Sequence, residues 1–137
     1  MMNSTRIGDI GVSYCISRCL EKNIPVYKPV SDNEKADLII LFDNIPKKIQ
    51  VKSVIKDKNG KAEFNITSST SAIYNRKSKV HHYTKEEIDY YMLCNIARKE
   101  VYLVPFEETK KNVVTLRYDN PKNNQKKNVR FAKDYIF

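Results

Sequence analysis

ADLIILFDNIPKKIQVKS, residues 36–53, consists of two short apolar runs joined by a polar turn that contains proline. Leu38, Ile39, Ile40, Leu41 and Phe42 make the first run, with Asp37 at its mouth. Ile49, Val51 and Val54 belong to the second, which Gln50 and Lys52 interrupt. Successive side chains of a strand point to opposite faces, so Gln50 and Lys52 share one face and Ile49 and Val51 the other. The link Asp43-Asn44-Ile45-Pro46-Lys47 is short and rich in turn-forming residues, which predicts an antiparallel hairpin. That pairing brings Asp37 beside Gln50 and Lys52 near one end of a sheet. A carboxylate, an amide oxygen and an ammonium group gathered there suit a divalent cation and an activated water. A plainer reading also fits: alternate polar positions mark a solvated face, and an Asp ahead of an apolar run starts a strand.

The 137 residues suffice for one domain with a core of its own, and 41% of them are hydrophobic. No apolar run approaches the ~20 residues needed to span a bilayer. The opening residues MMNSTRIGDIG lack the apolar centre of a signal peptide, so a cytoplasmic protein with no membrane partner is expected. Cys15, Cys19 and Cys94 stand in apolar contexts and cannot all pair, which agrees with a reducing compartment. The net charge is +9 and unevenly spread. Residues 1–45 hold five Lys/Arg against six Asp/Glu, whereas residues 46–137 hold twenty against ten. A basic surface on the later part of the chain suits a polyanion such as nucleic acid. A Lys- and Asn-rich mix also fits an AT-rich coding sequence.

Apolar residues at helical spacing predict a first helix over residues 7–22, with Gly8 and Gly11 allowing close approach of another group. Asp9 lies between them, either complementing the helix end or aimed at the site formed by Asp37. Cys15 and Cys19 share a helix face, and core packing accounts for them better than zinc, because the adjacent His81-His82 make a poor second half of such a site. Residues 25–30 read as a proline-bounded edge strand. Asn59-Gly60 predicts a tight turn, with a strand returning over residues 62–66 in a mostly antiparallel sheet. Residues 67–82, TSSTSAIYNRKSKVHH, read as a long basic loop. There Arg76, Lys77 and Lys79 surround Tyr74, a pattern suited to nucleic-acid contact. Thr84 and Glu87 form a capping box that predicts a second helix to about residue 98. Residues 100–106 read as a central strand covered on both faces, and residues 113–118 as one more. The basic segment 119–137 carries Lys122, Lys126, Lys127 and Arg130 for phosphate. Its apolar end, Tyr135-Ile136-Phe137, fits either the core or a contact between subunits.

Together G-D-I-G (8–11), A-D-L-I-I (36–40), I-Q-V-K-S (49–53), Y-T-K-E-E-I-D-Y-Y (83–91), V-Y-L-V-P (101–105) and the stretch L-R-Y-D-N-P-K-N-N-Q-K-K-N-V-R-F-A-K-D-Y (116–135) resemble the PD-(D/E)xK nuclease superfamily. More narrowly, they are similar to its group I intron-associated, homing-type branch. The resemblance covers nearly the whole chain and implies an α/β (α+β) restriction-endonuclease-like αβββαβ core. In that core a mixed central sheet is flanked by helices in a single domain, 1–137. It further implies Mg²⁺-dependent cleavage of double-stranded DNA, with Mn²⁺ able to substitute. By the same resemblance Asp37 is the metal-binding acid, Gln50 occupies the acidic position, Lys52 is the motif lysine and the Val51 carbonyl is a further ligand. Asp9 is a candidate for the helix acid. The chain departs from the pattern at Gln50, which replaces a carboxylate, and at Val12, where members often carry Glu. These departures keep a catalytically inactive DNA-binding module open as an alternative, beside a junction resolvase of the same fold. Cutting both strands with such sites implies a homodimer or homotetramer.

Overall fold

Two consecutive residues in the left-handed region, Asp43 (φ 50°) and Asn44 (φ 65°), close the hairpin between β2 (Leu38–Phe42) and β3 (Ile45–Val54). That is the two-residue turn whose twist matches antiparallel strands. The computed structural model describes residues 2–71, 78–110, 112–120 and 129–137, with the backbone alone for 69–71 and 78–79. The pairing runs from Phe42↔Ile45 to Leu38↔Ile49, so the turn is tighter than the five-residue link expected. Pro46 stands inside β3, opposite Leu41. It is tolerated because β7 (Tyr90–Asn95) pairs with β3 only from Ile49 onward, so no ladder bond is asked of its nitrogen.

The main sheet has the order β1-β2-β3-β7-β8, with β1 at Val26–Tyr27 and β8 at Glu100–Pro105. It is mixed: β3 and β7 are parallel and the other pairs antiparallel. The helix α1 (Ser4–Glu21), capped by the Asn3 side chain on the Arg6 N–H, covers one face. Cys15 and Cys19 pack there against Leu38, Ile40, Ile49, Val51, Met92 and Cys94, and all three cysteines are free and buried. The opposite face is covered by a two-stranded sheet of β4 (Lys61–Asn65) and β9 (Val113–Arg117), through Phe64, Val114 and Leu116 against Tyr91, Leu93 and Tyr102. The Asn59-Gly60 turn forms as expected, but the strand it returns pairs with β9 rather than with β3. No helix is long and apolar enough to cross a membrane among the described residues.

Three sequence expectations need correction. The second helix does not form. One half of the capping box does: the Thr84 N–H donates to Glu87 Oε1 at 3.0 Å, while the Thr84 backbone carbonyl, not its hydroxyl, accepts from Glu87 and Ile88. The turn then stops because Asp89 is bound on both sides to β3. Its N–H donates to the Lys48 carbonyl and its carboxylate accepts the Lys48 N–H, each at 2.8 Å. From there the chain runs as β7, whose side chains enter both cores alternately. The 67–82 stretch is not a plain loop, since β5 (Thr67–Ser71) and β6 (Ser78–His82) pair as an antiparallel ribbon. The strand at residues 100–106 is the last of the sheet, not central. The C-terminal segment closes its edge, with Leu103 donating to the Tyr135 carbonyl and Phe137 to the Val101 carbonyl. Tyr135 and Phe137 therefore pack against the two cores, while Ile136 is exposed.

Asp57, after β3, is clamped by Arg98 through Nε (2.7 Å) and Nη2 (3.0 Å), and Asn95 Nδ2 adds a third bond. The guanidinium bonds hold the Asp57 carboxyl well below the usual carboxylate range. A depressed folded-state value stabilises above the unfolded carboxylate value, about 4, and that contribution is lost as the pH falls through the folded value. Asp57→Asn should lower Tm at neutral pH, and the gap to wild type should close in acid below about pH 4. Thermal melts across that range read both effects.

Gly11 packs α1 onto β3 with no room for a side chain: an added Cβ would meet Ser53 Oγ at 1.8 Å and Ser53 Cβ at 3.0 Å. Gly8 meets nothing within 4 Å, so only one of the two glycines serves close approach. Ser53 Oγ is itself buried without a hydrogen-bond partner. Gly11→Ala is expected to destabilise by about 1–3 kcal/mol, as overpacked cores do. Ser53→Ala removes an unsatisfied hydroxyl, so it should be neutral or stabilising and relieve part of the Gly11→Ala cost. Urea unfolding of the two single variants and the double variant measures the coupling.

Candidate active site

β2 begins at Leu38, one residue after Asp37, while β3 runs on to Val54. Beyond Ile49 the β2 side of β3 therefore lacks a strand partner. Asp37 fills the gap: its own N–H donates to the Ile49 carbonyl at 2.7 Å, and its Oδ2 accepts the Val51 N–H at 2.9 Å. Residues two apart in a strand send their backbone groups the same way, so the Val51 carbonyl also faces this vacated edge. The hairpin register thus brings together Asp37 and Val51, fourteen residues apart in the chain.

Gln50 and Lys52 lie on the sheet face away from α1, because Ile49 and Val51 pack under the helix. Gln50 is only 8% exposed, and its Oε1 has no hydrogen-bond partner. Buried side-chain oxygens are nearly always paired, which makes this one a candidate ligand position. Lys52 Nζ donates to the Thr67 carbonyl at 2.9 Å and lies 5.4 Å from the centre of the Tyr83 ring. Burial pushes the Asp37 carboxyl up, against the opposing pull of the Val51 N–H and the Lys52 charge. Burial likewise pushes the Lys52 ammonium down, against the Asp37 charge. Each of these groups is desolvated and only partly compensated by the other.

Asp9 is exposed on α1 and lines, with Asp37 and Val12, a cleft of about 390 Å³ at the strand end. Val12, where a Glu was the family expectation, therefore faces the same cleft as Asp37. Asp32 and Glu34 line it too. They precede Asp37 by only a few residues, in a polar stretch with no site motif of its own. Tyr83 and Thr67 were also missed, because their approach to Lys52 depends on the β5–β6 ribbon. Among the described residues no three of His, Cys, Asp or Glu gather to hold a metal by themselves. A cation at this site would have to use the Gln50 amide and a backbone carbonyl beside Asp37. The unpaired Gln50 oxygen and the edge-facing Val51 carbonyl are the hard oxygen donors that Mg²⁺ or Mn²⁺ takes, so the donor set fits. Of the expected DNA-contacting residues, Arg76, Lys77, Lys122, Lys126 and Lys127 lie outside the described residues, as does the Lys79 side chain. Arg130 is partly buried, and its carbonyl accepts the Arg117 N–H at 2.9 Å.

No curated protein matches the chain. Among solved structures the chain is similar to a bacterial homing endonuclease, I-Ssp6803I, with a TM-score of 0.75. The likeness covers 98% of this chain and 89% of that one, at 21% identity, and it carries the fold. The sequence pattern of the PD-(D/E)XK endonuclease family matches residues 2–137, the length over which the hairpin, the site strand and the C-terminal segment are all present. On that match the chain belongs to the PD-(D/E)XK endonuclease family.

Proposed function

We propose that the protein is a metal-dependent endonuclease that hydrolyses phosphodiester bonds in duplex DNA, and that it is of the homing type. The observation that carries this reading is the unpaired, buried Gln50 oxygen on the strand whose edge Asp37 caps, two residues from Lys52. Asp37, Gln50, the Val51 carbonyl and Asp9 would hold the cation. Bound there, Mg²⁺ or Mn²⁺ supplies positive charge against the negative charge that develops on the phosphate. Asp37 does two jobs, since one carboxylate oxygen fixes Val51 while the side chain also lines the cleft. Lys52 orients the attacking water through its remaining N–H donors and adds a second positive charge beside the phosphate. The basic excess in residues 46–137, including Arg76, Lys77, Lys79, Lys122, Lys126, Lys127 and Arg130, holds the duplex backbone. The homing character is supported by the likeness to the solved bacterial homing endonuclease.

Gln50 in place of a carboxylate, and Val12 rather than an acid on the cleft, favour one second reading, a DNA-binding module that no longer cuts. Plasmid nicking with Mg²⁺ separates the two. Asp37→Ala and Lys52→Ala should each cut at least about 100-fold more slowly than wild type. Equal rates in all three proteins would remove the site assignment, and no cutting by wild type with Mg²⁺ or Mn²⁺ would leave the binding module. Gln50→Glu adds a charge to the donor set and should lower the Mg²⁺ concentration needed for half-maximal cutting.

One site of this kind cuts one strand, so a homodimer or homotetramer is expected. Light scattering on the purified protein should give two or four times the 16.0 kDa chain mass. A monomer that still makes double-strand breaks would contradict this.

A further inference from the structure

We propose that Tyr83 is a positioning residue for Lys52: with the Thr67 carbonyl, its ring holds the ammonium at the root of the β5–β6 ribbon and leaves N–H donors free for the reacting phosphate. The inference rests on the nuclease reading for its effect on cleavage, but not for its geometry.

Lys52 carries a long side chain, and an ammonium with three donors is fixed in place only by what surrounds it. One donor goes to the Thr67 carbonyl at 2.9 Å. Among the described residues no carboxylate lies within ion-pairing distance of Nζ. The Asp37 charge attracts the ammonium from beyond that distance, and the Tyr83 ring centre, at 5.4 Å, adds a fixed attraction. A ring face attracts a cation through its quadrupole without claiming a directional hydrogen bond. A carboxylate in the same place would engage the N–H groups that the reaction needs.

The ring is well placed for this because it cannot easily move. Tyr83 is 9% exposed. Its ring packs edge-on against Tyr91 (6.1 Å, 79°) and against His81 (5.5 Å, 90°). His81 is held in turn by Glu87, with Nε2 at 3.0 Å from Oε1. Both holders of Lys52 belong to the foot of one structure. Thr67 is the first residue of β5, and Tyr83 follows directly on β6. The pair Thr67↔His82 closes the ribbon between them. The foot of the ribbon is therefore seated on the lysine expected to act in cleavage.

The test compares wild type, Tyr83→Phe and Tyr83→Leu, each alone and in the Lys52→Ala background, well below their Tm values. The first readout is the NMR shift of the Lys52 ε-protons, which a ring face moves upfield whether or not the protein cuts DNA. The shift should persist in Tyr83→Phe and vanish in Tyr83→Leu. The second readout is single-turnover cleavage with saturating DNA, alongside the DNA Kd. Tyr83→Phe should stay close to wild type, and Tyr83→Leu should cut roughly 10-fold more slowly at an unchanged Kd. In the Lys52→Ala background Tyr83→Leu should cost nothing further. The proposal is overturned by an unshifted Lys52 in wild type, by a Tyr83→Phe as slow as Tyr83→Leu, or by losses that multiply across the two backgrounds. A wild type that shows the shift but never cuts would overturn the nuclease reading and leave the placement of Lys52 standing.

Discussion

The Asp37 carboxylate accepts the Val51 N–H where β2 has ended and β3 runs on. A strand edge left open inside a fold carries unpaired backbone groups, and each costs free energy unless something meets it. Here one side chain replaces the missing strand. The consequence reaches beyond that bond. Asp37 satisfies the N–H of Val51 on one side of the strand while β7 pairs with it on the other, and Gln50 and Lys52 lie on one face. Because Asp37 does this with a single oxygen, the carboxylate still opens on the cleft that it shares with Asp9. The sheet is thus continued and the candidate site assembled by the same contact.

The surrounding groups are held in a state that costs stability. Gln50 Oε1 is buried and unpaired, and Asp37 and Lys52 are both desolvated beyond what they return to each other. A core built for stability alone would place apolar residues there. The cost is sustained by two well-packed layers: the cysteine-lined face under α1, and the Tyr91, Leu93 and Tyr102 face under β4 and β9. Desolvated titratable groups cluster at functional sites, which is why the proposed site is placed here.

The hairpin, the first helix and the shared face of Gln50 and Lys52 could be read from sequence, because turn chemistry and side-chain period are local properties. Asp37 could be placed near them for the same reason. The second helix misled because its start signal is real. Thr84 and Glu87 do form a capped turn, and only the long-range grip of Asp89 on Lys48 diverts the chain into β7. Partner choice was equally hidden: Asn59-Gly60 announces a turn but cannot say that the returning strand will pair with β9. The hold of Tyr83 on Lys52 joins residues thirty-one apart through a ribbon that the Ser/Thr-rich sequence disguised as a loop.

The central claim is that the unpaired Gln50 oxygen, on the strand whose edge Asp37 caps, is a ligand position. Anomalous scattering from Mn²⁺ in crystals grown with duplex DNA tests it most directly. The account predicts a peak within direct coordination distance of both the Asp37 carboxylate and Gln50 Oε1. A peak held by Asp9, Asp32 and Glu34 away from Gln50, or an ordered DNA complex with no peak at all, would contradict it.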